Sequence, residues 1–179
     1  MNRREFLKSA LTMAALAPVS RLAAKAGPDD DKASDLKSGL QVTRRRYKNT
    51  GMTVPLLGFG CMRFARISPD NPGIDYPTVR KMIARAMNAG CNYFDTAYMY
   101  HGGESEKCLG ELLKEYPRDS YYLTDKMPVW FAKKESDIER IFKEQLARCK
   151  TGYFDFYMLH SLNAANWKLA QKFHAYEFL

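Results

Sequence analysis

No two cysteines in this sequence stand at the C-x-x-C spacing of a metal or redox motif. Cys61, Cys91, Cys108 and Cys149 lie far apart, and isolated cysteines usually serve as small buried side chains. A disulfide stays open should the chain be exported, but spacing alone does not argue for one. A phosphate-binding glycine turn is also lacking. Gly58-Phe59-Gly60 is followed by Arg63 where G-x-G-x-x-G requires glycine, which argues against a doubly wound dinucleotide fold. Neither basic–aromatic interleaving nor a recognition-helix pattern is found, so no nucleic-acid partner is expected. The apolar run near the start is too short to anchor stably across a bilayer.

What is present suits one globular core and no more: 179 residues, 46% hydrophobic and 13% aromatic. The net charge of +8 is unevenly spread. Within residues 1–26, Arg3, Arg4, Lys8, Arg21 and Lys25 face Glu5 alone, so about half of the excess sits there. This stretch has a charged start, an apolar run from Ala10 to Val19 and a small-x-small end at Ala24-Lys25-Ala26. That is the layout of a signal peptide. Its Arg3-Arg4-x-Phe6-Leu7-Lys8 core resembles the signal read by the twin-arginine translocase, which implies an exported, periplasmic protein. An ordinary secretory signal or an uncleaved amphipathic start would share part of this pattern. Residues 27–39, opening Gly27-Pro28-Asp29-Asp30-Asp31, read as a disordered linker.

From residue 40 the chain alternates between strand and helix patterns. Gln41–Tyr47 and Thr53–Pro55 flank the turn signal Asn49-Thr50-Gly51 and predict a β-hairpin. Leu56–Gly60 reads as a buried strand. Asp75 and Pro77 open a helix whose apolar face is Val79, Met82, Ile83, Ala86 and Met87, and Gly90 ends it. A strand over Cys91–Asp95 follows, then a helix from about Ser105 to Lys114 burying Cys108, Leu109, Leu112 and Leu113. Ser120–Thr124 predicts a third strand. Ser136 and Glu139 form a capping-box pattern, and Ile138, Ile141, Phe142, Leu146 and Cys149 form the face of the helix they open, with Gly152 as its stop. Phe154–Leu159 predicts a strand buried on both faces. A final helix near Asn166 carries Leu169, Phe173 and Tyr176 on one side. Four strand–helix units in regular order indicate an α/β fold with parallel strands: half of an eight-unit TIM barrel, preceded by a hairpin.

Four polar residues fall at or just past the ends of these strands: Asp95, Tyr100, Lys126 and His160. Singly, each has a plainer reading: a turn aspartate, a space-filling tyrosine, a structurally paired lysine, a satisfied core histidine. All strand ends of a barrel share one face, however, so the four side chains can converge. Together they suit proton transfer. A nearby ammonium favours the ionised form of a phenol, a carboxylate fixes the ammonium, and an imidazole orients a carbonyl or relays the proton.

Phe94-Asp95-Thr96-Ala97-x-x-Tyr100, Gly103-Glu104-Ser105-Glu106, Leu109-Gly110, Thr124-x-Lys126 and Phe156-Tyr157-Met158-Leu159-His160 together resemble the aldo-keto reductase signature over residues 41–179. The resemblance implies NADPH-dependent reduction of a small carbonyl substrate to an alcohol. It makes Tyr100 the general acid, with Lys126 polarising it, Asp95 holding Lys126, and His160 directing the carbonyl. It places Met62, Arg63 and Asp95 against the nicotinamide end of NADPH and assigns the hairpin to the barrel bottom. Asp125 departs from the small neutral residue more usual beside the lysine; on a strand its side chain points away from Lys126. The family's other four units hold the cofactor's amide and adenosine phosphate, so a complementary half-barrel or a second copy of this chain is expected to be needed. Gly58-Phe59-Gly60-Cys61-Met62-Arg63 and Tyr100-His101-Gly102-Gly103 are most similar to a branch with a C-terminal 4Fe-4S segment. Such a cluster would belong to that further segment, because no metal site is expected from these cysteines. A non-catalytic nicotinamide-binding module and an inert truncated fragment are the competing readings.

Overall fold

The alternating pattern folds as a parallel sheet with helices on one side. The computed structural model describes residues 41–179; the expected signal peptide (1–26) and linker (27–39) lie outside the described residues. The hairpin pairs β1 (Arg44–Arg46) with β2 (Thr53–Pro55) antiparallel, and Lys48 and Gly51 take left-handed conformations in its turn. Four parallel strands follow in spatial order: β3 (Phe59–Gly60), β4 (Tyr93–Asp95), β5 (Tyr122–Met127) and β6 (Phe156–Leu159). Helices α1 (Tyr76–Asn88), α2 (Glu104–Leu112) and α3 (Ser136–Arg148) connect them. After β6 come α4 (Ala164–Lys172) and the short α5 (Ala175–Phe178).

Local chemistry sets the helix ends. The Asp75 carboxylate accepts from the Thr78 amide at 3.1 Å and caps α1, with Pro77 inside the first turn. Gly90, left-handed at φ 79°, releases the chain into β4. Two predicted punctuation marks are replaced. At α3 no side chain of the Ser136/Glu139 pattern caps the helix. Asp137 turns back instead and accepts from the Lys133 and Lys134 amides at 2.9 and 3.1 Å, satisfying donors of the preceding turn. At the other end Lys150, at φ 51°, makes the left-handed turn expected of Gly152.

Side-chain parity along the strands decides what is buried. Phe94 and Leu123 face the helices and are fully enclosed, packed with Val79, Ile83, Leu109 and Leu112. A second cluster, built on Met127, Ile138, Ile141, Ala170 and Phe173, lies under α3 and α4. All four cysteines are buried and unpaired. On the opposite sheet face Tyr93, Tyr122 and Phe156 form a triad, with ring centroids 5.3–6.4 Å apart, and Tyr47 of the hairpin packs edge-on against Phe156.

Four expectations need correction. The first strand is only Phe59–Gly60, and Leu56 and Leu57 are exposed, because pairing with β4 begins at Phe59↔Phe94. The third strand does not stop at Thr124 but continues to Met127, since β6 supplies partners that far. Strand β6 is not buried on both faces: it lies at the sheet edge, and Met158 is 40% exposed. Tyr176 does not share a helix face with Phe173, because His174 at φ 52° ends the first helix and leaves Tyr176 exposed.

Gly110 marks a close approach of α2 to α3. A Cβ there would lie 2.4 Å from the Arg148 carbonyl oxygen and 2.8 Å from the Cys149 carbonyl carbon, so α2 and α3 would have to separate. Gly110→Ala is expected to cost about 2–3 kcal/mol through overpacking. Gly152→Ala, which meets nothing within 4 Å, should stay within about 0.5 kcal/mol. Thermal unfolding of the two variants beside the parent checks the contrast.

Candidate active site

Parallel register brings the polar residues to one end of the sheet. Asp95 pairs with Thr124, so Lys126, two residues further on, projects from the same face one step beyond. Lys126 lies inside β5 rather than after it, and the strand fixes its direction. Its Nζ donates to Asp95 Oδ1 at 2.6 Å, to the Thr96 carbonyl oxygen at 2.7 Å and to the Tyr100 hydroxyl at 3.3 Å. It also lies 4.8 Å from the centroid of the Tyr100 ring. Burial opposes the ammonium, but the hydrogen bond and charge of Asp95, with Tyr100, outweigh it and raise the Lys126 pKa above its ordinary value.

His160 follows β6 directly, and its backbone amide continues the ladder to the Met127 oxygen at 3.0 Å. Its ring stands edge-on to Tyr100 at 5.8 Å and packs on Trp130 at 5.2 Å. Burial first, then the Lys126 ammonium, lowers its pKa against a weaker pull from Asp95, so the imidazole is neutral at pH 7. Its buried Nδ1 has no hydrogen-bond partner among the described residues. All four predicted polar residues thus meet.

Met62 and Arg63 sit on a single 3-10 turn, Cys61–Arg63, just past β3. Both are exposed, and their turn packs against the turn carrying Tyr100. Ser105 at the start of α2 secures this arrangement. Its hydroxyl donates to the Cys61 carbonyl oxygen at 2.9 Å; with that proton committed, Thr96 Oγ1 donates to Ser105 Oγ, also at 2.9 Å.

Two contributors escape the sequence reading. Trp130, on the turn after β5, walls His160; nothing in its spacing signals this. His101 joins the turns at Tyr100 and Met62–Arg63: its Nε2 accepts from the Phe64 amide at 3.0 Å, and its ring stacks on Phe64 with centroids 5.9 Å apart. It holds a left-handed φ of 52° ahead of Gly102 and Gly103; the glycine pair was the available signal for an unusual backbone. Only a neutral imidazole can accept this bond. Burial, then the Arg66 charge, lowers the His101 pKa, so the contribution is complete above the unfolded value of about 6.5 and is lost as pH falls through the folded value. His101→Ala should remove about 1–2 kcal/mol at pH 7.5 and less near pH 5. Amide exchange at Phe64 and pH-dependent melting measure both effects.

The aldo/keto reductase family model matches residues 56–170. A D-galacturonate reductase from Fragaria ananassa is 32% identical over 115 residues, covering 60% of this chain and 33% of that protein. The chain spans about a third of the length of the curated relatives it matches. Among solved structures, a Pseudomonas aeruginosa protein assigned as an aldo-keto reductase superposes with a TM-score of 0.66 at 25% identity, over 81% of this chain and 57% of that one. An aldo-keto reductase from Klebsiella pneumoniae, solved in complex with NADPH, superposes with a TM-score of 0.52 at 24% identity, over 70% and 43% respectively. The family model's match extends from the approach to β3 through most of α4 and takes in the whole cluster around Lys126: this chain belongs to the aldo/keto reductase family.

Proposed function

We propose that this chain carries the proton-transfer half of an NADPH-dependent carbonyl reductase acting on a small aldehyde or ketone. The observation that carries this reading is one ammonium, Lys126 Nζ, placed 2.6 Å from a carboxylate and 3.3 Å from a phenol. Reduction adds a hydride to the carbonyl carbon and a proton to its oxygen. NADPH, when bound, supplies the hydride. Tyr100 donates the proton from its hydroxyl, Lys126 stabilises the negative charge this leaves on the phenol oxygen, and Asp95 keeps Lys126 charged and in place. His160, neutral and facing Tyr100, orients the carbonyl oxygen.

The residues present fit the nicotinamide end of the cofactor. Met62 offers an exposed apolar surface and Arg63 a charge beside the Tyr100 turn, while Asp95 keeps 31% of its side chain open. The described strands form four units of the eight-unit barrel of the structural relatives. A complementary half-barrel, or a second copy of this chain, therefore completes the cofactor site in this proposal. Export through the twin-arginine translocase is part of the same reading and rests on Arg3 and Arg4. A 4Fe-4S group, if the protein has one, is held by a further segment.

Two measurements test this. In a barrel completed with the other four units, NADPH consumption with a small aldehyde should fall by about 10²–10⁴-fold in Tyr100→Phe, with NADPH affinity nearly unchanged. Unaltered turnover removes Tyr100 from its role. Replacing Arg3 and Arg4 by Lys should leave the precursor in the cytoplasm on fractionation; normal export would point to a general secretory signal.

A further inference from the structure

Behind Lys126, on the helix-facing side of β5, lies a second titratable cluster that carbonyl reduction does not use. Asp125 and Glu106 are both fully buried and meet the same turn of α3, Asp125 through Gln145 and Cys149 and Glu106 through Arg148. Asp125 Oδ1 accepts from the Lys126 amide at 2.8 Å and from Gln145 Nε2 at 2.8 Å, and Oδ2 takes only a long contact from the Cys149 thiol, at 3.9 Å. Glu106 Oε2 accepts from Arg148 Nη1 at 2.9 Å, whereas the fully enclosed Glu106 Oε1 has no hydrogen-bond donor among the described residues.

The charges around this pair do not balance. Arg148 is the guanidinium that reaches it, and Arg148 also pairs with Glu144 and donates to the Tyr98 carbonyl oxygen. Arg140 offers Glu144 a longer contact at 3.5 Å. Gln145, Tyr157 and Cys149, also packed around it, bring no positive charge. Gln145 is neutral, the Tyr157 hydroxyl donates to Gln145 Oε1, and burial raises the pKa of Tyr157 and of Cys149 well beyond their ordinary values, keeping both protonated. The Lys126 ammonium is spent on the opposite face, on Asp95. Two buried carboxylates sharing one guanidinium leave an uncompensated charge in a low-dielectric interior, which is costly.

We propose that Asp125 and Glu106 bind one proton between them at neutral pH, which gives the orphaned Glu106 Oε1 its missing partner. The proton satisfies the empty acceptor, removes the excess charge and links β5 to α2. Gln145 closes the same unit by donating to both Asp125 and the Lys126 carbonyl oxygen, at 3.1 Å for the latter. The buried proton is thus a structural ligand braced against the backbone of Lys126. Burial, then the neighbouring Glu106 charge, places the Asp125 pKa well above its ordinary value. The sign follows. The folded state holds the proton more tightly than the unfolded state, so stability is greatest near and below the unfolded pKa of about 3.9 and declines as pH rises toward the folded value.

Asp125→Asn separates this from an ionised aspartate. Asparagine keeps an oxygen for the Lys126 amide and Gln145, and its amide group offers a donor that does not titrate. Thermal unfolding of the full chain between pH 5 and 9 should show the variant gaining on the parent as pH rises, by roughly 3 °C or more at the alkaline end. Asp125→Ala, which leaves every partner unsatisfied, should melt below the parent throughout. An Asp125→Asn deficit equal at every pH would overturn the proposal, because it would mean that the charge itself is needed. Should Asp125→Asn fail to fold, infrared spectroscopy of the parent decides. A protonated-carboxyl carbonyl band at pH 7 that moves on ¹³C-aspartate labelling supports the shared proton, and its absence refutes it.

Discussion

The parallel pairing of β4 with β5 is the constraint on which the site depends. Because Asp95 stands opposite Thr124, the next same-face residue on β5 is Lys126, and its ammonium reaches back 2.6 Å to the carboxylate. A slip of one residue would turn Lys126 toward the helices and Asp125 toward the open face. Register is defended on the other side of the sheet by Phe94 and Leu123, both fully buried among the residues of α1 and α2. Hydrophobic burial on one face thus fixes polar geometry on the other.

Strand β5 carries two electrostatic solutions back to back. On the open face Lys126 is satisfied by a carboxylate, a carbonyl oxygen and a phenol. On the helix face Asp125 pairs with no cation among the described residues and depends on Gln145, the Lys126 amide, the Cys149 thiol and the proposed proton shared with Glu106. The two meet at the Lys126 backbone, so the helix layer helps to position Lys126. The close approach of α2 and α3 at Gly110 brings Arg148 to Glu106 and makes that layer possible.

Much of this was legible in the sequence, for identifiable reasons. Helical periodicity located α1, α2 and α3, and strand-end polarity located Asp95, Tyr100, Lys126 and His160, because both signals repeat with the geometry of the backbone. Strand ends were read less well. The aromatic and β-branched run ends at Thr124, yet the strand continues through Asp125 and Lys126, each satisfied by tertiary partners that local sequence does not show. Likewise the capping pattern at Ser136 lost to Asp137, and Gly152 to Lys150, since competing local hydrogen bonds settle only once the flanking chain is placed. His101 and Trp130 join the site through contacts with Phe64 and His160 that no short-range pattern encodes.

In the proposed mechanism Asp95 and Lys126 act as one unit in proton donation, with Asp95 acting through Lys126. A double-mutant cycle on the rate of carbonyl reduction, made with Asp95→Asn and Lys126→Met in a completed barrel, tests it directly. The account predicts strong non-additivity: each single change removes most of the rate, and the second removes little more. Losses that multiply independently would contradict it.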